Sequence, residues 1–453
     1  MPRTAAERRQ HARAIWQAAV EAVQPHRLLC PILTDRASPI RGALTAARRI
    51  MVVGAGKAGA AMSAAVEEAL ADLIPKMAGI VNVPAETVRP LRAIRLHAAR
   101  PAGTNFPTAE GVAGAEEMLH LLARASPDDV ALCLLSGGGS ALLPAPVPGV
   151  SLADKLHVTR LLHRCGATIH EMNTVRKHLS RIKGGGLARA FTGRALFSFI
   201  ISDVVGDPVD VIASGPTAAD PSTFADALAI LDKYRLRGEV PATVVDYLER
   251  GRRGEVAETL KQLPAHVSNC VIGNNRLALA AAQKQAELLG WPVVNLGSYL
   301  EGETRQVAIA LAGVVRSIRA DACPAPPPVC LLSGGETTVT LPPDTGLGGR
   351  NQEFVLAALS WLGPAGAAGV TLLSGGTDGE DGPTDAAGAW ADADTLTQAA
   401  RLGLDPASFL IRHDAYRFFD ATGGLLRTGF TQTNVMDVRV ILVDDLPAQP
   451  TPV

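Results

Sequence analysis

The chain reads as an α/β protein with mostly parallel sheets. Three features predict this: short, nearly continuous apolar runs, amphipathic stretches between them, and glycines where several runs end. Strands covered by helices on both faces lose the polar–apolar alternation of a half-exposed sheet, so continuous apolar runs point to parallel, buried strands. Of 453 residues, 47 % are hydrophobic and 19 % charged. That composition supports a sizeable core and argues against disorder. At roughly 100–200 residues per domain, the length allows two or three domains.

The elements follow in order. The N-terminal stretch MPRTAAERRQHARAIWQAAVEAV predicts an amphipathic helix and lacks the apolar segment of a signal peptide. Strands are expected at 49–56, 79–83, 130–138, 195–204, 269–274, 291–297, 329–335, 370–376 and 438–443. Helices are expected at 58–73, 109–124, 276–289, 304–319 and 352–362, where apolar residues recur at helical spacing. The proline-rich run DACPAPPPV at 321–329 cannot join a sheet ladder and predicts a domain boundary. The domains are therefore expected at 1–320 and 329–445, with a frayed tail at 446–453.

Composition excludes some functions. Basic and acidic residues number 43 and 44, giving a net charge of −1. Such a balance leaves no electrostatic footprint for nucleic acid or an anionic membrane. Aromatics at 4 % are too few for base-stacking platforms. No run approaches the ~18 apolar residues of a membrane span. The six cysteines form no C-x-x-C pair; Cys133, Cys270 and Cys330 sit in apolar runs and read as buried small hydrophobes. A cytoplasmic protein acting on small molecules is the expectation, with oligomeric state open and compatible with a homodimer.

The glycine-ended strands carry the chemistry. CLLSGG occurs at 133–138 and again at 330–335, and TLLSGG at 371–376. In an open α/β sheet, ligands bind beyond the carboxyl ends of the strands. Glycine there lets backbone N–H groups approach an anion, and a following helix adds its N-terminal dipole. CLLSGGGSALL predicts a phosphate cradle at Ser136, Gly137, Gly138, Gly139 and Ser140. VVGAGKAG places Gly54, Gly56 and Gly59 in G-x-G-x-x-G spacing after a strand, which makes the first domain Rossmann-like. The next strand, GIVNVP, ends without the acidic residue that would hold a ribose 2′-hydroxyl. Lys57 lies inside the loop, where a bound phosphate or carboxylate would meet its ammonium group. No Walker A or protein-kinase motif is present.

Further polar groups cluster at strand ends. NTVRKHLSRIKGGGLA at 173–188 reads as one basic helix ending at glycines, with Arg176 and Lys183 on one face and Lys177 and Arg181 on another. ISDVVGDP brings Asp203 and Asp207 to a carboxyl end, where carboxylates can hold Mg²⁺ or accept a hydroxyl proton. SGGETTVTLPPDTGLGGRNQEF brings Glu336 and Arg350, the latter a bidentate fork for carboxylate or phosphate. SGGTDGEDGPTDAAGAWAD brings Asp378, Asp381 and Asp385.

These motifs, in this order, resemble the glycerate 2-kinase family with a C-terminal MOFRL domain, some of whose members are labelled hydroxypyruvate reductases. The resemblance covers nearly the whole chain. It implies two α/β domains with a cleft between them, and transfer of the γ-phosphoryl group of ATP to the 2-hydroxyl of D-glycerate with a divalent metal. Lys57 and Arg350 match family active-site positions, and Asp203 and Asp207 match the family S-D-V-x-G-D motif. The segment HAARPAGTNFPTAEG at 97–111 departs from the family pattern.

The expected roles follow. The loop at 136–140, Gly54, Gly56 and Lys183 cradle the nucleotide phosphates. Lys57 neutralises the transferring phosphoryl group. Arg350 and Glu336 contact substrate. Asp203 or Asp207 takes the hydroxyl proton, and Asp207 and Asp378 are the metal-ligand candidates, with Mg²⁺ and ATP as cofactors. Two competing readings are an NAD(P)H-dependent hydroxypyruvate reductase, based on the glycine loop, and a non-catalytic sugar-acid or nucleotide binder.

Overall fold

The computed structural model describes residues 2–101 and 106–446. It forms two compact units: residues 25–272, and a discontinuous unit made of the residues up to Gln24 and those from Gly273 onward. Residues 447–453 of the tail expected at 446–453, and part of the divergent 97–111 segment, lie outside the described residues. Among the described residues no helix is long and apolar enough to cross a membrane.

The first unit is built on strands β1 (Ile50–Ala55), β2 (Met77–Pro84), β3 (Ile94–Arg100), β4 (Val130–Leu135), β5 (Ala195–Ile201) and β6 (Val267–Gly273). Their order is β3-β2-β1-β4-β5-β6. The β3–β2, β2–β1, β1–β4 and β4–β5 pairs are all parallel. This is the doubly wound dinucleotide-fold order, whose ligand crevice opens where the order reverses, between β1 and β4. Every residue of β1 and β4 is buried, as their unbroken apolar runs require. β3 was not expected. It alternates buried and exposed residues at a sheet edge and carries Arg95 and His97, which masks it in sequence. β6 lies at the other edge, and Cys270 on it is exposed rather than buried.

The second unit holds β7 (Val293–Asn295), β8 (Val329–Gly335), β9 (Val370–Gly376), β10 (Gly388–Asp392), β11 (Leu425–Leu426) and β12 (Asp437–Val443). Their order is β11-β10-β9-β12-β8-β7. β12 runs antiparallel to both β8 and β9, and β10 antiparallel to β9, while β7 and β8 are parallel. This sheet is mixed, unlike the parallel first sheet. β8, β9 and β12 are buried throughout. The short β10 and β11 escaped sequence reading because GAWAD and LL lack a strand-length apolar run.

The boundary expected at the proline run is displaced. β7 pairs with β8, and the helix Thr304–Asp321 packs on the helix Arg350–Ala367. Residues 273–320 therefore belong to the second unit, and the prolines only connect a helix to β8 within it. The helix Ala5–Ala22 also joins this unit, starting from a Thr4–Glu7 capping box. It packs on the helix Asn275–Leu288 and on β9 and β12, and Trp16 Nε1 donates to the Gly375 carbonyl at 3.1 Å.

Candidate active site

In the first unit the ends of β1 and β4 are laced together. Gly54 and Gly56 have φ of +154° and +147°, and a Cβ on them would fall 2.0 Å from Leu134 O and Ser136 Oγ. Only glycine fits there. The Lys57 N–H donates to Gly137 O at 2.8 Å and the Ser136 N–H to Ala55 O at 3.1 Å. The Ala58 N–H donates to Ser136 Oγ at 3.0 Å. Ser136 is 1 % exposed, so it fixes the lysine loop and does not face a ligand as expected. The Gly139 N–H is likewise bonded within the loop, to Ser136 O at 3.2 Å. Gly138, at φ +75°, leaves room beside the stem of Lys57, whose Cγ lies 3.5 Å from the absent Cβ. Lys57 is half-buried at this strand end.

The basic segment is not one helix. The helix Ile169–His178 stops, and the chain turns through Ser180 and left-handed Gly184 and Gly185 before the helix Gly186–Ala190. The Gly184 and Gly185 N–H groups bond to Ser214 O and Gly215 O at 3.1 and 2.7 Å. Lys177 and Arg181 are not a solvated face. Lys177 pairs with Asp210 and Asp220, each at 3.2 Å, and Arg181 with Glu116 at 2.6 Å. Arg176 and Lys183 do come together, on Ser140. Both donate to Ser140 Oγ, and Lys183 also reaches Ser140 O at 2.9 Å and Ser214 Oγ at 3.3 Å. Ser214 donates to Asn173 Oδ1 at 3.1 Å. Burial, then the Arg176 and Lys155 charges, hold the Lys183 ammonium well below its ordinary pKa. Ser140, Lys155, Arg176 and Lys183 line a cavity of about 640 Å³.

Asp203 and Asp207 follow β5 and are half-buried. Gly206, Asp207, Ala213 and Ser214 have φ of 79°, 57°, 51° and 62°. Three non-glycine residues in left-handed backbone mark a loop held against local preference, a frequent property of functional sites. Two carboxylates at one strand end suit Mg²⁺, which takes one or two protein carboxylates and completes its shell with phosphate and water. Among the described residues no group of three or more His, Cys, Asp or Glu side chains is gathered as a metal site.

In the second unit Arg350 opens its helix with its fork on Asp437, Nε–Oδ2 2.7 Å and Nη2–Oδ1 3.0 Å. Its Nη1 meets Glu336 Oε1 at 2.9 Å. Glu336 is therefore a partner of Arg350, not the separate substrate contact expected. Asp437 is fully buried between Gly335 of β8 and Gly376 of β9. Burial raises its pKa, but Arg350 and Arg439 more than offset this and hold it below the ordinary value. Asp381 accepts the Asn351 and Gln352 N–H groups at 3.0 and 2.8 Å and so fixes the start of the Arg350 helix. Burial pushes its carboxyl up to about 7. Asp378 is half-buried and accepts the Glu380 N–H at 3.1 Å.

Sequence reading did not single out Asp437, Ser214, Asn173 or Lys155. Lys155 had a signal. In LADKLHVTRLLHR it falls three residues before Val158 and seven before Leu162, on the buried face that both share.

Residues 11–249 match the family described as a domain of unknown function (DUF4147), and residues 329–437 match the MOFRL family. A glycerate kinase from Bos taurus is 40 % identical over 96 % of this chain and 93 % of its own length. A glycerate 2-kinase from Pyrococcus horikoshii is 40 % identical over 87 % of each chain. The crystal structure of glycerate kinase from Thermotoga maritima is 34 % identical with a TM-score of 0.83, covering 96 % of this chain and 99 % of that one.

Proposed function

The chain belongs to the glycerate kinase family with a C-terminal MOFRL domain, and from that premise we infer that it transfers the γ-phosphoryl group of ATP to the 2-hydroxyl of D-glycerate. The observation that carries this reading over a reductase is the packing of the glycine loop. A Cβ on Gly54 or Gly56 would fall 2.0 Å from Leu134 O or Ser136 Oγ, so these glycines serve the packing of β1 on β4 and are not by themselves a dinucleotide signature. The loop presents Lys57 instead.

Phosphoryl transfer asks a protein chiefly for positioning and positive charge. Lys57 neutralises the transferring phosphoryl group. Ser140 and Lys183 hold nucleotide phosphates, beside the backbone of Gly137 and Gly138. Asp203 accepts the hydroxyl proton, and Asp207, with Asp378 as a further candidate, holds Mg²⁺. When bound, Mg²⁺ supplies charge neutralisation between phosphate oxygens. Arg350 binds the carboxylate or phosphoryl oxygens of the substrate. Asp437 orients its fork, and an incoming anion competes with Glu336 for Nη1.

³¹P NMR of D-glycerate incubated with ATP, Mg²⁺ and the protein tests donor, acceptor and regiochemistry together. A 2-phosphoglycerate resonance with stoichiometric ADP is expected. NADH consumption with hydroxypyruvate and without ATP would overturn the assignment, as would tight glycerate binding with no turnover.

A further inference from the structure

The cavity of about 640 Å³ beside Ser140 has an unusual balance of groups. Pro144, Leu156 and Leu179 form apolar wall, while Lys155, Arg176 and Lys183 bring three basic side chains into it. Arg160, His163 and Arg164 line it too, and among the described residues no Asp or Glu does. Arg164 is held outside by Glu239 at 2.6 Å. Arg176 and Lys183 have hydroxyl partners. Lys155 has none: its Nζ is buried without a hydrogen-bond partner. A buried ammonium group with no counter-charge is costly and sheds its proton readily. Burial, then the Arg176 charge, brings Lys155 down to about 7. Such a pocket lacks only an anion.

The size narrows the class of anion. Pockets of roughly 300–1,000 Å³ enclose ligands of nucleotide size, and a three-carbon acid would leave most of this one empty. A lining that combines apolar wall with clustered basic side chains matches a base and a polyphosphate.

We propose that this cavity is a nucleoside polyphosphate pocket in which Lys155 is a phosphate-binding residue that takes up a proton from solvent as the ligand enters. The nucleoside part of this inference rests on the kinase reading; the polyphosphate part does not. The neutral amine gains one proton, becomes an ammonium group and donates to a phosphate oxygen, while its neighbours Arg176 and Lys183 stay in place.

The test is calorimetric titration of the full-length protein with ATP and with inorganic tripolyphosphate, without glycerate, in two buffers of different ionisation enthalpy. The wild type is expected to take up nearly one proton per ligand at pH 8 and little at pH 6. Its affinity should fall by up to about tenfold per pH unit above 7. Lys155→Met should take up about one proton fewer per ligand at pH 8 than the wild type and bind more weakly at pH 7. Lys155→Arg, charged at every pH tested, should likewise take up about one proton fewer and show a flatter pH profile, any uptake left in both belonging to Lys183, which burial also holds low. His163→Gln should keep the uptake, since the proton goes to Lys155. ATP should bind more tightly than tripolyphosphate because of the apolar wall. Wild-type affinity and proton uptake in both Lys155 variants would overturn the proposal, as would no uptake in the wild type. If uptake is seen but glycerate is not phosphorylated, the kinase reading falls and the polyphosphate site stands. If glycerate is phosphorylated and the Lys155 variants behave as wild type, the reverse holds.

Discussion

Lys57 and Arg350 are positioned by different means. Lys57 rides on a loop tied to β4 by backbone bonds and the Ser136 hydroxyl. Arg350 is aimed by a fully buried carboxylate, Asp437. Cationic contacts to a developing charge contribute several kcal/mol where water is excluded, at about 1.4 kcal/mol per decade of rate. Lys57→Ala and Arg350→Ala should each lower kcat by roughly 10²-fold or more in a coupled ADP-release assay. Effects below about tenfold from both would reject these roles. At this scale the sequence showed the cations in glycine loops, because glycine and lysine are adjacent in the chain. Their supports were hidden. Asp437 looks like a plain strand start until β8 and β9 close around it, and the apolar helix face that holds Lys155 does not reveal that Arg176 and Lys183 fold beside it.

The three SGG strand ends show how one pentapeptide, LLSGG, serves two structural purposes. After β4 the chain leaves the ladder at Leu135, and Ser136–Gly138 turn into the short helix Gly139–Leu142. In β8 and β9 the same letters stay in the ladder, pairing with β12 from either side: Val438 faces both Gly334 and Gly375. There the glycines make room for neighbours. A Cβ on Gly334 would sit 1.7 Å from Asn275 Oδ1 and one on Gly375 2.8 Å from Trp16 Nε1. Asn275 in turn donates to Val435 O and Asp437 O at 2.8 and 2.9 Å. Gly334→Ala should therefore destabilise the second unit by about 1–3 kcal/mol. Gly313→Ala, in the helix Thr304–Asp321 with open space around its Cβ position, should be stabilising by about 0.5–1 kcal/mol. Thermal melts distinguish them, and equal shifts would refute the packing account. Fully buried strands were legible from apolar runs alone. The edge strands β3 and β11 and the broken basic segment were not, since their form is set by partners remote in sequence.

At the scale of the molecule, the second unit is completed by the start of the chain. Arg9 pairs with Asp392 at 2.6 Å, Trp291 Nε1 donates to His11 Nδ1 at 3.1 Å, and Ile15, Trp16 and Ala19 are buried. Sequence periodicity revealed the helix but not its destination, because nothing local names a partner some hundreds of residues away. Deleting residues 2–24 should lower the melting temperature of the second unit and expose β9 and β12 to limited proteolysis. Unchanged melting and protection would show the helix to be dispensable. The same arrangement governs how the protein is made. A ribosome releases the helix Ala5–Ala22 before residues 25–272 and β12 after them, so that whole stretch emerges while the helix has no sheet to cover its apolar face. The nascent chain must carry an unburied hydrophobic stripe while the first unit is made, and its second unit can form only after β12 has left the tunnel.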